Sequence, residues 1–303
     1  MVISLNTGDY NTDSSNFDEI TRNEAEIANS NIVFRKDDNS TAEITDSEET
    51  IIIESISKVE IHEIELSQKK VIITIPAYNE ADVIEEVIQR ISNVMLKTKY
   101  QNNFTIHVVD DGSTDETVKI SKQAGALVYS HEKNSGLAET FRSEIYFGLK
   151  MCGDIIVHID ADGQYRAEEI PKLLAEIENG FDLVLGSRFT GLIEHMPFVK
   201  KIGNRIFSKI TSRITKKKIS DSQTGFRAFT REVAEEIIII STHTYTQEQI
   251  IKANAANFEI IEIPIHFDAR KNGKSRLIKN SIEYAIRAII TFYRIYFEKN
   301  KKK

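Results

Sequence analysis

An α/β fold, a mostly parallel Rossmann-like sheet with helices on both faces, is predicted for this chain by three observations. Short apolar runs alternate with helical patterns from residue 71 onward, as in successive βαβ units. Acidic residues stand where those runs end: Tyr78-Asn-Glu80, Asp110-Asp111 and Asp160-Ala-Asp162. Open α/β sheets bind ligands beyond the carboxyl ends of their strands, so the three acidic tips point to one shared site. Third, neither Gly-x-Gly-x-x-Gly nor a Gly-Lys-Ser/Thr phosphate loop occurs, which argues against a dinucleotide enzyme and a P-loop nucleotidase.

The elements follow in order. Residues 1–66 hold 16 Asp and Glu against 4 Lys and Arg, a balance of −12 in a chain of net charge −7, which leaves +5 for the rest. So polar a leader buries too little apolar surface to offset its ordering entropy, and disorder is expected. A weak edge strand is possible within residues 51–66, where the alternation slips after Ile61. Residues 71–75 form a buried strand, followed by a helix carrying Val83, Val87, Ile88 and Ile91. Residues 104–109 make a second strand, and Ser113-x-x-Glu116 announces a helix as a capping box. Strands at 126–129, 155–159 and 181–185 alternate with helices at 136–151 and 168–179. The domain reading is a leader at 1–66, a folded domain at 67–278 and a basic amphipathic helix at 279–303.

Composition narrows the function. The mildly basic body fits phosphate-bearing ligands or an anionic membrane surface, whereas no basic patch interleaved with aromatics supports nucleic acid. A lone Cys152 excludes an internal disulfide and a cysteine-based zinc site, in keeping with a reducing cytoplasm. No signal peptide and no apolar run approaching the roughly 20 residues of a membrane span is seen.

Asp160 and Asp162 carry the chemistry. Two aspartates at i and i+2 can face one site if the strand breaks between them, and such oxygen ligands suit Mg²⁺ or Mn²⁺ on a diphosphate. A calcium loop is the alternative, but Gln164 fits its fifth position weakly and Pro171 stands at the twelfth. His158 and His107 read as satisfied core histidines, and Ser113 and Asp115 as turn and cap residues.

Six motifs occur in order: Pro76-Ala-Tyr-Asn-Glu80, Asp110-Asp-Gly-Ser-Thr-Asp115, Asp160-Ala-Asp-Gly-Gln164, Gly186-Ser-Arg188, Asp221-Ser-Gln-Thr-Gly-Phe-Arg227 and Arg270-x-x-Gly-x-Ser-Arg276. Together they resemble the family 2 glycosyltransferases, and within them the dolichyl-phosphate mannosyltransferase-like group, over residues 70–276. The resemblance implies a GT-A fold that binds a nucleotide-sugar, GDP-mannose or a UDP-hexose, with Mg²⁺ or Mn²⁺. It implies that Pro76, Tyr78 and Glu80 line the nucleoside pocket and that Asp110 and Asp111 read base or ribose edges, with Ala161 also against the donor. Asp160, Asp162 and Gln164 would hold the metal, and Arg188, Arg227, Arg270 and Arg276 would lie near phosphates, Asp160, Asp162, Arg188 and Arg227 being the catalytic set. Two departures bear on donor and acceptor preference: Ser275-Arg276 replaces the usual Ser-Lys, and Thr246 stands where the family often has an acid.

The expected reaction is inverting transfer of the sugar to a polyprenyl or dolichyl phosphate, whose oxygen is already anionic and needs no strong base. Ile202, Ile206, Ile210 and Ile214 recur beside Arg205, Lys209 and Arg213, and a second basic apolar stripe runs from Ile282 to Phe297. Both suit helices lying in a bilayer interface, which predicts a cytoplasmic enzyme peripheral to the membrane, though the second stripe could instead pack on the core. A glycan acceptor, an aspartate-nucleophile phosphatase and a non-catalytic nucleotide-sugar binder are the alternatives.

Overall fold

The computed structural model describes residues 42–46, 49–53, 69–242 and 244–270, and the chain divides into two units, Met1–Ser67 and Gln68–Lys303. In the first unit, β1 (Ala42–Asp46) pairs antiparallel with β2 (Glu49–Ile53). These ten residues alternate or cluster β-branched side chains within a leader whose composition predicts disorder, and the edge strand expected after residue 50 overlaps them only at residues 51–53. The helix expected at 279–303 lies outside the described residues.

The second unit is built on a seven-stranded sheet. β3 (Val71–Ala77), β4 (Phe104–Asp110), β5 (Leu127–Ser130) and β6 (Ile155–His158) are parallel, in the order β5-β4-β3-β6. β8 (Arg227–Thr230) then runs antiparallel between β6 and β7 (Leu183–Ile193), and β9 (Ile260–Phe267) closes the edge parallel to β7. The helices are α1 (Ile84–Met95), α2 (Thr117–Gln123), α3 (Leu137–Lys150), α4 (Ile170–Glu178), α5 (Phe198–Thr215), α6 (Arg231–Glu236) and α7 (Thr246–Ala255).

Strand residues of alternating parity feed two apolar layers, as the period of two requires. Val71, Ile73, Ile75, Val157 and Val184 pack with Ile84, Ile88 and Ile91 of α1 and Leu173 and Ile177 of α4. Ile156, Leu183, Leu185 and Phe229 pack on the opposite face with Phe141 of α3, Val233 of α6 and Ile250 of α7. Fully buried isoleucines of this kind contribute roughly 2 kcal/mol each in transfer free energy.

Three local expectations are revised. α2 begins at Thr117, and its capping residue makes no side-chain cap bond. Ser113 instead accepts a bond from the Asn79 amide at 2.8 Å, tying the loop after β4 to that after β3, while Asp115 accepts from the Thr117 amide at 3.0 Å as a cap residue would. β7 runs eight residues beyond the expected end at 185 because β9 pairs along it, which places Ser187 and Arg188 inside a strand. The apolar pattern does not predict β8 and β9. Pro264 obscures β9, yet it sits exposed on the sheet's edge strand, where a missing N–H is tolerated.

His107 is 3% exposed on β4, and its Nδ1 has no hydrogen-bond partner among the described residues. Burial therefore holds the imidazole neutral, lowering its pKa from 6.5 to about 4. The unfolded chain takes up this proton first, so the stability linked to His107 is complete above about pH 6.5 and is lost as pH falls toward 4. The loss between pH 7 and pH 5 is about 2 kcal/mol. In His107→Leu, denaturant midpoints at those two pH values should lie closer together than in the parent; an unchanged gap refutes the assignment.

Candidate active site

The sheet order sets three acidic tips side by side. β4, β3 and β6 are adjacent and parallel, with Ala77 level with Asp110 and Thr74 level with His158. The loops beyond them are joined by short bonds: the Asp111 amide donates to the Ala77 carbonyl at 2.8 Å, the Thr114 amide to Asn79 Oδ1 at 2.7 Å and the Glu80 amide to Thr117 Oγ1 at 2.8 Å. Asn79 takes a left-handed φ of 55°, which turns the chain between Tyr78 and Glu80. Pro76 is the penultimate residue of β3, and Pro76, Tyr78 and Glu80 are all half-buried.

The paired aspartates at β4 hold loops. Asp110 accepts from the Ser113 amide at 3.1 Å and from Ser130 Oγ at 2.5 Å. Asp111 accepts from the Ser135 and Gly136 amides at 2.7 and 2.9 Å and contacts His131 Nδ1 at 2.8 Å. Gly112 follows them at φ +74°, and a Cβ there would come within 2.6 Å of the Lys133 backbone. These carboxylates shape the loop floor beside the Glu80 tip.

Beyond β6 the two remaining carboxylates lie close together. Asp162 accepts from the Gln164 amide at 3.1 Å and from Arg270 Nη2 at 2.7 Å, and the same guanidinium nitrogen is 3.8 Å from Glu80 Oε1. One arginine thus bridges the tips of β3 and β6. Burial and the neighbouring Asp160 charge push the Asp162 pKa up, against the pull of Arg270. Burial pushes Asp160 the same way, but His158, then Arg188 and Lys200, outweigh it and hold Asp160 low. Ala161 is buried between them.

Among the described residues no three His, Cys, Asp or Glu side chains are grouped to hold an ion alone. Two hard carboxylates, one raised in pKa by the other's charge, suit a divalent cation whose remaining ligands are diphosphate oxygens and water. Asp160 and Asp162 fit such an ion. Gln164, expected as a third ligand, donates its side-chain amide to the Asp268 carbonyl at 3.0 Å, tying the end of β9 to the carboxylate loop.

Arg188 and Arg227 are both buried inside the protein. Arg188 grips Asp221 through Nε at 2.7 Å and Nη2 at 2.8 Å, its backbone amide joins the same carboxylate at 3.0 Å, and its guanidinium lies 5.1 Å over the Phe267 ring. Arg227 is wholly buried, bonded to Gln249 Oε1 at 2.8 Å and to the Thr224 carbonyl. Both reach Asp160 through their field. Arg276 lies outside the described residues.

The structure adds residues that no spacing revealed. Lys200 on α5 is exposed, yet Asp160 and Asp162 both feel its charge. His158, a core histidine by its sequence, contacts Glu144, Tyr245 and Asp160. Burial opposes its charge, but Glu144 and Asp160 overturn this and raise its pKa to about 9.

Removing one partner of a buried ion pair strands the other charge, at about 3–5 kcal/mol. Asp221→Ala should lower unfolding stability by that amount in urea denaturation, and Arg188→Lys, which cannot form the fork, should recover little of the pair's contribution. A loss below about 1 kcal/mol in Asp221→Ala would show that the pair is a surface-like contact.

Residues 72–238 match the family model described as Glycosyl transferase family 2. The chain is 33% identical over 231 residues to dolichol-phosphate mannosyltransferase of Pyrococcus furiosus, covering 73% of this chain and 62% of that protein. It is 30% identical over 223 residues to the UDP-N-acetylglucosamine–dolichyl-phosphate N-acetylglucosaminyltransferase of Methanococcus voltae, covering 66% and 86% respectively. A solved structure of glucosyl-3-phosphoglycerate synthase from Mycobacterium tuberculosis, with Mn²⁺, UDP and glucosyl-3-phosphoglycerate, shares the fold at a TM-score of 0.58 and 18% identity, over 76% of this chain and 80% of that one. With its motifs, its mixed sheet and these likenesses, the chain belongs to glycosyl transferase family 2, in the group similar to the dolichyl-phosphate mannosyltransferases, and is a glycosyltransferase.

Proposed function

We propose that the chain moves a sugar, with inversion, from GDP-mannose or a UDP-hexose to a polyprenyl or dolichyl phosphate at the cytoplasmic face of a membrane. One observation carries this reading. The first turn of α5 presents Phe198 and Val199 at 75% and 76% exposure, while Lys200 in the same turn reaches the field of Asp160 and Asp162. An acceptor with an anionic head on an apolar tail matches that junction.

The face continues along the helix. Ile202 and Ile206 are exposed, whereas Phe207, Ser208, Thr211 and Thr215 are buried against the domain. An apolar stripe turned away from the core, beside the exposed Arg205, Lys209 and Arg213, suits an anionic bilayer surface. No helix among the described residues is long and apolar enough to cross a membrane. The Pyrococcus furiosus and Methanococcus voltae relatives, whose names specify dolichol phosphate, support the same acceptor class.

Residue roles follow from position. Asp160 and Asp162 would hold Mg²⁺ or Mn²⁺, which when bound supplies Lewis-acid stabilisation of the departing diphosphate. Arg270, between Glu80 and Asp162, is placed to meet a donor phosphate. Lys200 is placed to draw the acceptor phosphate toward the carboxylate centre. Thr246 is a buried hydroxyl bonded among Gln223 and Gln247, so that position supplies no base, and an anionic acceptor oxygen needs none.

The experiment is incubation with labelled GDP- and UDP-sugars, Mg²⁺ or Mn²⁺, and polyprenyl phosphate, a soluble glycan or a phosphomonoester. Labelled lipid is expected; label on the glycan alone, or release of free phosphate, would overturn the acceptor. Asp162→Ala should lower kcat by at least about 10²–10³ while the fold survives. Undiminished turnover in that variant refutes the metal assignment.

Flotation tests the surface. The chain should rise with anionic liposomes, and Ile202→Asp/Ile206→Asp should stay in the soluble fraction. Equal flotation of both proteins would remove the outward face of α5 from the membrane contact.

A further inference from the structure

β6 is wholly buried, and its residues Ile155, Ile156 and Val157 are what a central strand calls for; His158 is not. Its imidazole lies in a polar chain drawn from several elements. Nδ1 is 2.6 Å from Glu144 Oε2 on α3, and that oxygen also accepts from Thr74 Oγ1 of β3 at 2.7 Å. Nε2 is 2.6 Å from the hydroxyl of Tyr245, which precedes α7, and 3.5 Å from Asp160 Oδ1. Tyr245 is itself clamped, stacked on Phe141 at 3.7 Å with an interplanar angle of 12°.

Burying this set is costly relative to apolar packing, even when the groups are bonded. A strand that needed only a core residue would be better served by valine. The chain has one outlet, Asp160, whose side chain is 31% exposed while His158 is fully enclosed. The carboxylate is confined on another side too. A Cβ on Gly225 would fall 2.5 and 2.6 Å from the two Asp160 oxygens, and the Gly225 amide is held by Tyr165 Oη at 2.9 Å.

We propose that His158, clamped between Glu144 and Tyr245, is a positioning residue that fixes the direction of the Asp160 carboxylate and thereby sets the affinity for the divalent cation. The inference rests on the metal reading proposed above. The imidazole and the Gly225 backbone bracket the partly exposed carboxylate from two sides, which narrows the rotamers open to it. Outer-shell partners of this kind typically change metal affinity by about 10–100-fold.

The test uses Mn²⁺ as probe, with GDP or UDP present, and follows free Mn²⁺ by electron paramagnetic resonance on the full chain. Glutamine places its side-chain nitrogen near the position of His Nε2, whereas asparagine reproduces only Nδ1. His158→Gln should stay within about threefold of the parent, while His158→Asn and His158→Leu should bind Mn²⁺ roughly 10–100-fold more weakly. In turnover assays the apparent KM for Mn²⁺ should rise in the latter two, with kcat recovered at saturating Mn²⁺. Equal Mn²⁺ affinity across the three variants, with only melting temperature changed, overturns the proposal. Should the variants not fold, the imidazole ¹⁵N shifts of His158 in the parent serve instead. Mg²⁺ with GDP or UDP should move them, and should fail to do so in Asp160→Asn; unmoved shifts in the parent overturn the proposal. If Asp160→Asn itself leaves Mn²⁺ binding intact, the metal reading has failed and not the role of His158 alone.

Discussion

Two carboxylates leave the end of β6 within three residues of each other, and the repulsion between Asp160 and Asp162 organises what surrounds them. Neither can be desolvated unless positive charge is nearby. The protein provides it from four directions: Arg270 after β9, Arg188 on β7, Lys200 on α5 and the imidazole of His158 on β6 itself. The cations are not equivalent. Arg188 is locked on Asp221, and His158 lies behind the carboxylate, so both act as fixed background. Arg270 is half-buried and Lys200 exposed, so both are open to solvent where Arg188 and His158 are not.

That arrangement needs the mixed sheet. β8 runs against its neighbours, so Arg227 at its start lies level with His158 near the end of β6. Gly225, just before β8, can then press on Asp160, and β9 delivers Arg270 to the same edge. A parallel β8 would carry Gly225 and Arg227 to the opposite end of the sheet, whereas β9 already runs in the direction of β6. The antiparallel strand is thus the topological step that closes the site.

At the tips of β3 and β4, acids serve loop geometry. Asp110 and Asp111 accept bonds from the amides of the loops after β4 and β5, and Asn79 and Thr117 join the β3 loop to the same network. Preorganised loops of this kind reduce the ordering cost of ligand binding. Helix α5 inverts the usual rule. Its buried face is made of Ser208, Thr211 and Thr215 around Phe207, while Ile202 and Ile206 are exposed and Ile210 and Ile214 half-buried. Hydroxyls bond back to the helix's own carbonyls, as Thr211 does to Phe207 at 3.0 Å, which lets small polar residues pack inward.

Periodicity alone determined the parallel half of the sheet, the helices α1, α3 and α4, and the placing of three acidic tips at strand ends, because buried strands and amphipathic helices write their period into consecutive residues. The motifs between residues 76 and 276 carried the family for a similar reason, since each is a local run. Tertiary structure decided the rest. β8 and β9 are short or broken by Pro264, and only their partners make them strands. Whether an arginine faces a ligand or an internal carboxylate depends on contacts between residues 33 apart, as for Arg188 and Asp221. The ties of His158 to Glu144 and Tyr245 span 14 and 87 residues, and no period or spacing encodes such a meeting. Local sequence sets backbone preference and apolar pattern; the charge a buried group meets is set by whatever distant segment the fold brings against it.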